Sequence, residues 1–174
     1  MDKEAGNKNR KLDETAIAIV KVHSDGWWVK EIRHGRWDIQ ETCKEIFNAV
    51  QNYMPTKIGI EKGSLKNAAA PYLNDLMREN NTYFRIEDLN HGNRKKSERI
   101  IWSLQGLFEN RKVTLERGEW NAPFLDQLTN FPNSQLHDDL VDALAYIQQI
   151  ALVEVSYDDF EQEDYEALDA VSGY

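Results

Sequence analysis

The chain has 174 residues, 41% of them hydrophobic, which bounds it to one domain with room for a sizeable core. Its net charge of −9 would argue against nucleic-acid binding if it were evenly spread. No apolar run is long enough to span a membrane, no signal peptide is visible, and the single cysteine, Cys43, excludes an intrachain disulfide and suits a reducing cytosol.

In chain order, Thr15–His23 and Gly26–Trp37 read as the two strands of a hairpin, joined at Ser24-Asp25-Gly26. Asp38 is placed to cap a helix running to about Asn52, with Ile39, Cys43, Ile46, Phe47 and Val50 on one face. Met54-Pro55 ends it. Lys57–Glu61 is a short buried strand, with Gly63 opening the turn that follows. A helix is expected over Ala68–Glu79 with Pro71 in its first turn, then a strand at Tyr83–Glu87. Ser97–Glu109 reads as a helix with Trp102 on its apolar face, Val113–Leu115 as a strand, and Asn121–Leu128 as a short helix. Asp138–Leu152 closes the core. A hairpin followed by alternating strands and helices predicts a mixed sheet flanked by helices, an α/β fold.

The charge is unevenly distributed. From Glu154 onward there are eight carboxylates and no lysine or arginine, so residues 154–174 are expected to be a flexible acidic tail on a domain spanning 1–153. Taking those eight from the 30 acidic residues leaves 22, against 21 basic ones, in the domain. Two basic groups stand out, Lys3, Lys8, Arg10 and Lys11 near the N-terminus and Arg94, Lys95, Lys96 and Arg99 before and within a helix. Each can contact DNA phosphates or remain a solvated loop.

The run His137-Asp138-Asp139-Leu140-Val141-Asp142 places three carboxylates in five residues at the start of an apolar-periodic helix. One aspartate suffices to cap a helix, and residues three or four apart share a face. Three unpaired carboxylates there repel one another, a cost that a hard divalent cation removes. Glu61 ends its strand where ligands gather in open α/β sheets, and is the second candidate ligand. His137 is better placed as a cap, or as a donor behind the ligands, than as a ligand in an oxygen-only set suited to Mg²⁺ or Mn²⁺. The tryptophans are expected to pack in the core or at its edge rather than to stack on bases.

These elements, in this order, resemble the C-terminal nuclease domain of tailed-phage terminase large subunits. The resemblance rests on Asp2 with a glycine-containing basic loop before "DETAIAIV", on "IGIEKGS", on "KKSERIIWSLQGLFENRKVTL", on "HDDLVDALAYI" and on the ending "YEALDAVSGY". It implies an RNase H-like fold and a two-metal endonuclease acting on duplex, concatemeric viral DNA during genome packaging. Asp2, Glu61, Asp138, Asp139 and Asp142 would be its catalytic, metal-holding set, with two Mg²⁺ or Mn²⁺ ions. It further implies partnership with a terminase ATPase domain, a small terminase subunit and a portal, in the cytoplasm of an infected bacterial cell. No GxxxxGK[ST] loop is present, so this chain would supply the nuclease part alone. In members of the fold the first aspartate lies on the central strand. Here Met1 alone precedes Asp2, so the first strand is expected to be truncated, and Asp13 takes the place of Asp2 if the strand from Thr15 is the first. Another RNase H-like metallonuclease of the junction-resolvase type, or a catalytically silent interaction module, are the alternatives.

Overall fold

The computed structural model describes residues 14–90, 92–133 and 137–151. Asp2, Asp13, Lys3, Lys8, Arg10, Lys11 and the acidic tail lie outside them. The first two strands, β1 (Thr15–His23) and β2 (Gly26–Gly35), form the expected antiparallel hairpin. Gly26 is required at its corner. Its φ is +150°, and any Cβ there would meet the Lys112 carbonyl oxygen, which accepts from Trp27 N–H at 2.7 Å. A register shift between Ile19 and Val20 leaves Lys30 of β2 without a partner residue on β1. Its ammonium instead lies 3.7 Å from the centre of the Trp28 ring and 2.8 Å from Glu116.

Helix α1 (Ile39–Tyr53) begins on a capping box: Asp38 Oδ1 accepts from Glu41 N–H at 2.8 Å, and Glu41 Oε2 accepts from Asp38 N–H at 3.0 Å. Asp38→Ala is expected to cost about 1 kcal/mol, read as a lower denaturant midpoint at unchanged m-value. Cys43, Ile46, Phe47 and Val50 are buried on one face of α1, as the periodicity predicts. Burial pushes the Cys43 thiol up, away from the reactive thiolate. Thiol reagents should therefore leave Cys43 unmodified in the native protein and label it fully in denaturant.

Strand β3 (Ile58–Glu61) is followed by α2 (Ser64–Glu79), which starts four residues before the expected Ala68. Pro71 therefore lies inside the helix rather than in its first turn, on an exposed side where its missing N–H removes one hydrogen bond. Burial of Ala69, Leu73 and Met77 against α1 outweighs that loss. Strand β4 (Ile86–Leu89) overlaps the expected Tyr83–Glu87 at Ile86 and Glu87, starting three residues later, in parallel register with β3. Then come α3 (Lys96–Glu109), β5 (Val113–Leu115), α4 (Asn121–Asn130) and α5 (Asp139–Ile150), each within two residues of the sequence-based expectation. The end of α5 is tied to the end of β4 by a reciprocal amide pair. Asn90 N–H donates to Gln149 Oε1 at 2.9 Å, and Gln149 Nε2 donates to the Asn90 carbonyl at 2.8 Å.

Two corrections concern the packing. Trp102 was expected on the apolar face of its helix, yet it is 74% exposed. Ile100 and Leu104 take the core side, and at about 100° per residue Trp102 points away from both. Its ring faces the Arg94 guanidinium at 4.9 Å. The second concerns the sheet. The described strands form two sheets rather than one: β1-β2-β5, with β2 and β5 parallel, and the parallel pair β3-β4. The sheets carry separate cores. Ala16, Ala18, Val20 and Val22 of β1 join the cluster of β2, α3, α4 and α5, while Ile17, on the opposite face, joins that of α1, α2 and β3.

Candidate functional site

Three elements bring carboxylates together. Glu14 precedes β1, Glu61 ends β3, Asp138 precedes α5, and Asp139 and Asp142 sit in the first turn of α5. Asp138, the N-cap residue of α5, makes no capping hydrogen bond with its side chain. Gln127 of α4 does part of that work, its Oε1 accepting from Leu140 N–H at 2.8 Å.

Asp142 is buried, and its Oδ1 accepts from Arg99 Nη2 at 2.6 Å. Lys96 Nζ lies 2.7 Å from Asp138 Oδ1 and 3.3 Å from Asp142 Oδ2, bridging the two. Burial opposes the charge on Lys96, but its hydrogen bond to Asp138 and the charges of Asp142 and Asp138 win, and its affinity for the proton rises. Arg99 was expected among the phosphate-contacting residues; the fold turns it inward, with 8% of its surface exposed. Its guanidinium lies over the Tyr146 ring at 4.1 Å, and its Nε and Nη1 atoms are buried without a hydrogen-bond partner among the described residues. Arg94, Lys95 and Lys96 remain exposed at the start of α3.

Tyr146, one turn beyond Asp142, links this group to Glu61. Burial, together with a hydrogen bond donated to Glu61 and the nearby charges of Glu61 and Asp142, pushes the Tyr146 hydroxyl up to about 12 against the opposing pull of Arg99. The hydroxyl therefore stays protonated and serves as a donor.

Asp139 heads a second group. Burial raises the affinity of Asp139 for a proton, the charge of Lys96 opposes this, and the charges of Asp138 and Glu14 add to it. Glu14, His137 and Asp139 each present a ligand atom within 4.8 Å of the others. His137 Nδ1 is 3.5 Å from Asp139 Oδ2, and Glu14 Oε1 is 2.8 Å from His34 Nδ1. Glu14 and Tyr146 were not singled out from sequence as site residues. Glu14 had a visible signal, a carboxylate immediately before a strand. Tyr146 reads in sequence as one more apolar-face residue of α5.

The donor set fits a hard dication. Five carboxylates (Glu14, Glu61, Asp138, Asp139 and Asp142) face the two fixed cations Lys96 and Arg99, whose ion pairs go to Asp138 and Asp142. Desolvated carboxylate oxygens in excess over local cations are what Mg²⁺ or Mn²⁺ stabilises.

A protein-family model described as a terminase RNaseH-like domain matches residues 1–149. The chain belongs to that family. Its fold is accordingly RNase H-like, a mixed α/β arrangement with five helices among the described residues, and the resemblance drawn from the acidic and basic motifs holds. No curated protein matches the chain. Membership in the terminase RNaseH-like family places it among nuclease-type domains of DNA-packaging proteins. It does so without assigning any residue a role.

Proposed function

We propose that this terminase domain is a metal-dependent endonuclease that cuts duplex, concatemeric viral DNA during genome packaging. The observation that carries the reading is the convergence of Glu14, Glu61, Asp139 and Asp142 on one cavity from three elements, with Asp138 joined to Asp142 through Lys96, in a chain of this family. Glu61, Asp138, Asp139 and Asp142, with Asp2 from outside the described residues, are the proposed catalytic and metal-holding residues, and Glu14 joins them. Two Mg²⁺ or Mn²⁺ ions are the proposed cofactors. When bound, such ions generate a hydroxide nucleophile near neutral pH and stabilise the charge of the leaving oxygen.

The chain's own residues supply the rest. Arg99 and Lys96 offset the charge of Asp142 and Asp138 and so reduce the repulsion within the acidic turn of α5. Tyr146 donates to Glu61 and fixes its carboxylate, and His137 orients Asp139. Exposed Arg94, Lys95 and Lys96 at the start of α3 are proposed to hold phosphates, as are Lys8, Arg10 and Lys11. Such contacts carry no sequence preference. Residues 1–153 are proposed as the nuclease unit and 154–174 as an acidic tail for docking to another packaging component. The ATPase domain, small subunit and portal, in an infected bacterial cytoplasm, are the proposed setting.

Nicking of a supercoiled plasmid in Mn²⁺, with and without EDTA, tests the reading. Metal-dependent conversion to nicked and linear forms on DNA of any sequence is expected. Failure to cut linear duplex together with cleavage of four-way junctions would favour the resolvase-type alternative. The absence of any Mg²⁺- or Mn²⁺-dependent thermal shift would favour the silent module.

A further inference from the structure

Of the five tryptophans, Trp102 alone is exposed to solvent, on the outer side of α3. The Arg94 guanidinium lies over its ring at 4.9 Å. Stacking in this way uses the flat of the guanidinium and leaves its edge N–H donors free for a phosphate. Arg94 and Lys95, unlike Lys96 and Arg99, pair with no carboxylate among the described residues.

Gly106 lies one turn beyond Trp102. Side chains on a helix lean toward its N-terminus, so the residue four positions on is the one placed to cover the indole. Gly106 has no side chain to do so. Its backbone is helical rather than left-handed, and a Cβ there would meet nothing within 4 Å. Glycine inside a helix is destabilising relative to alanine, and nothing in the packing of the described residues requires it at this position. What Gly106 does provide is an uncovered ring. At about 100° per residue, Arg99 and Gly106 lie to one side of Trp102, and Glu98 and Glu109 to the other. Arg99 reaches Asp142, so the uncovered side is the one turned toward the acidic turn of α5. Exposed Glu98 and Glu109 repel phosphates from the opposite side.

We infer that Trp102 stacks on an unpaired base of a DNA strand whose phosphates lie on Arg94 and Lys95. The indole is then held between the Arg94 guanidinium and the base, over the space that Gly106 leaves. Two exposed, unpaired cations beside the ring favour a polyanion over an apolar protein surface. Stacking of this kind accepts any base, because every base has a π-face. Bases inside a duplex already have both faces covered, so the slot selects bulged, frayed or single-stranded positions near the acidic turn. The inference rests on the reading of the domain as one that acts on DNA, and adds to it a preference for strands with unpaired bases.

The test is binding of the full chain to three fluorescein-labelled DNAs, with EDTA present so that no strand is cut. One is a duplex with a short single-strand bulge, the second is the same duplex fully paired, and the third has abasic sites in the bulge. The wild type should bind the intact bulge about tenfold or more tighter than the other two. Trp102→Ala should lose that preference while keeping the parental affinity for the paired duplex and its salt dependence, since no phosphate contact is removed. Gly106→Leu is the sharper variant. Better helix propensity and contact with Trp102 should raise its melting temperature by about 2–3 °C, while the covered ring loses the preference. Equal binding of the three DNAs by the wild type, or a preference that survives either substitution, would overturn the inference. So would a Gly106→Leu variant that melts below its parent, because the space beside the ring would then be filled already. Self-association abolished by Trp102→Ala, with DNA binding unchanged, would make the patch a protein contact instead. Base-dependent binding without metal-dependent nicking would set aside the nuclease reading alone, and nicking with base-independent binding would set aside this inference alone.

Discussion

Glu61→Ala and Asp139→Asn are each expected to lower Mn²⁺-dependent plasmid nicking by about a hundredfold or more. The floor follows from general experience with metal sites, where loss of a group merely supporting a ligand costs about 10- to 100-fold. Removing a ligand oxygen itself should cost at least as much. The two positions test different parts of the cluster, since Glu61 accepts from Tyr146 and Asp139 lies with Glu14 and His137. Asp139→Asn preserves shape and removes charge, so its melting temperature should stay near or above that of the parent, burial having disfavoured the charge. Wild-type nicking by both variants would remove the acidic cluster from the mechanism. Nicking lost together with the fold would leave the comparison uninformative for Glu61→Ala, which is why the isosteric asparagine accompanies it.

Arg99→Met should destabilise the protein by about 3 kcal/mol, the lower end for breaking a buried ion pair. The lower end applies because Lys96, 3.3 Å from Asp142, partly compensates. At roughly 2–4 °C per kcal/mol for a chain of this size, the melting temperature should fall by about 10 °C. Adding Asp142→Leu to Arg99→Met should recover much of the loss, because an apolar pair avoids the desolvation cost that the ions bear. The double variant should nonetheless fail to nick DNA. An additive double variant, falling further than either single change, would show that the pair is not a coupled unit.

Local signals made most of the elements legible. The capping residues Asp38 and Glu41 fixed the start of α1, and Gly26 fixed the hairpin corner, because each feature is decided within four residues. What misled was context. Pro71 suggests a helix start only if the chain before it is not already helical, and Ser64 to Ala70 are tolerant enough to extend α2 backward. Trp102 suggests burial by its size, while Ile100 and Leu104 set the phase of α3. At the site, the carboxylates were visible as a pattern but their partners were not. Arg99 and Asp142 are 43 residues apart, and nothing local distinguishes an arginine that meets phosphate from one that meets aspartate. The division into two sheets was equally hidden, since strand pairing is decided between segments distant in sequence.

Gln149 and Asp142 are seven residues apart, two full turns, so they lie nearly along one line of α5 at a separation of about 10 Å. Gln149 grips the backbone of Asn90, just before the stretch that carries Arg94 and Lys95. One rigid rod therefore carries the acidic turn at one end and the anchor of the basic stretch at the other. A DNA backbone pressing on that basic stretch would be gauged against the carboxylates by the length of a helix, a ruler that neither salt nor side-chain rotation can stretch.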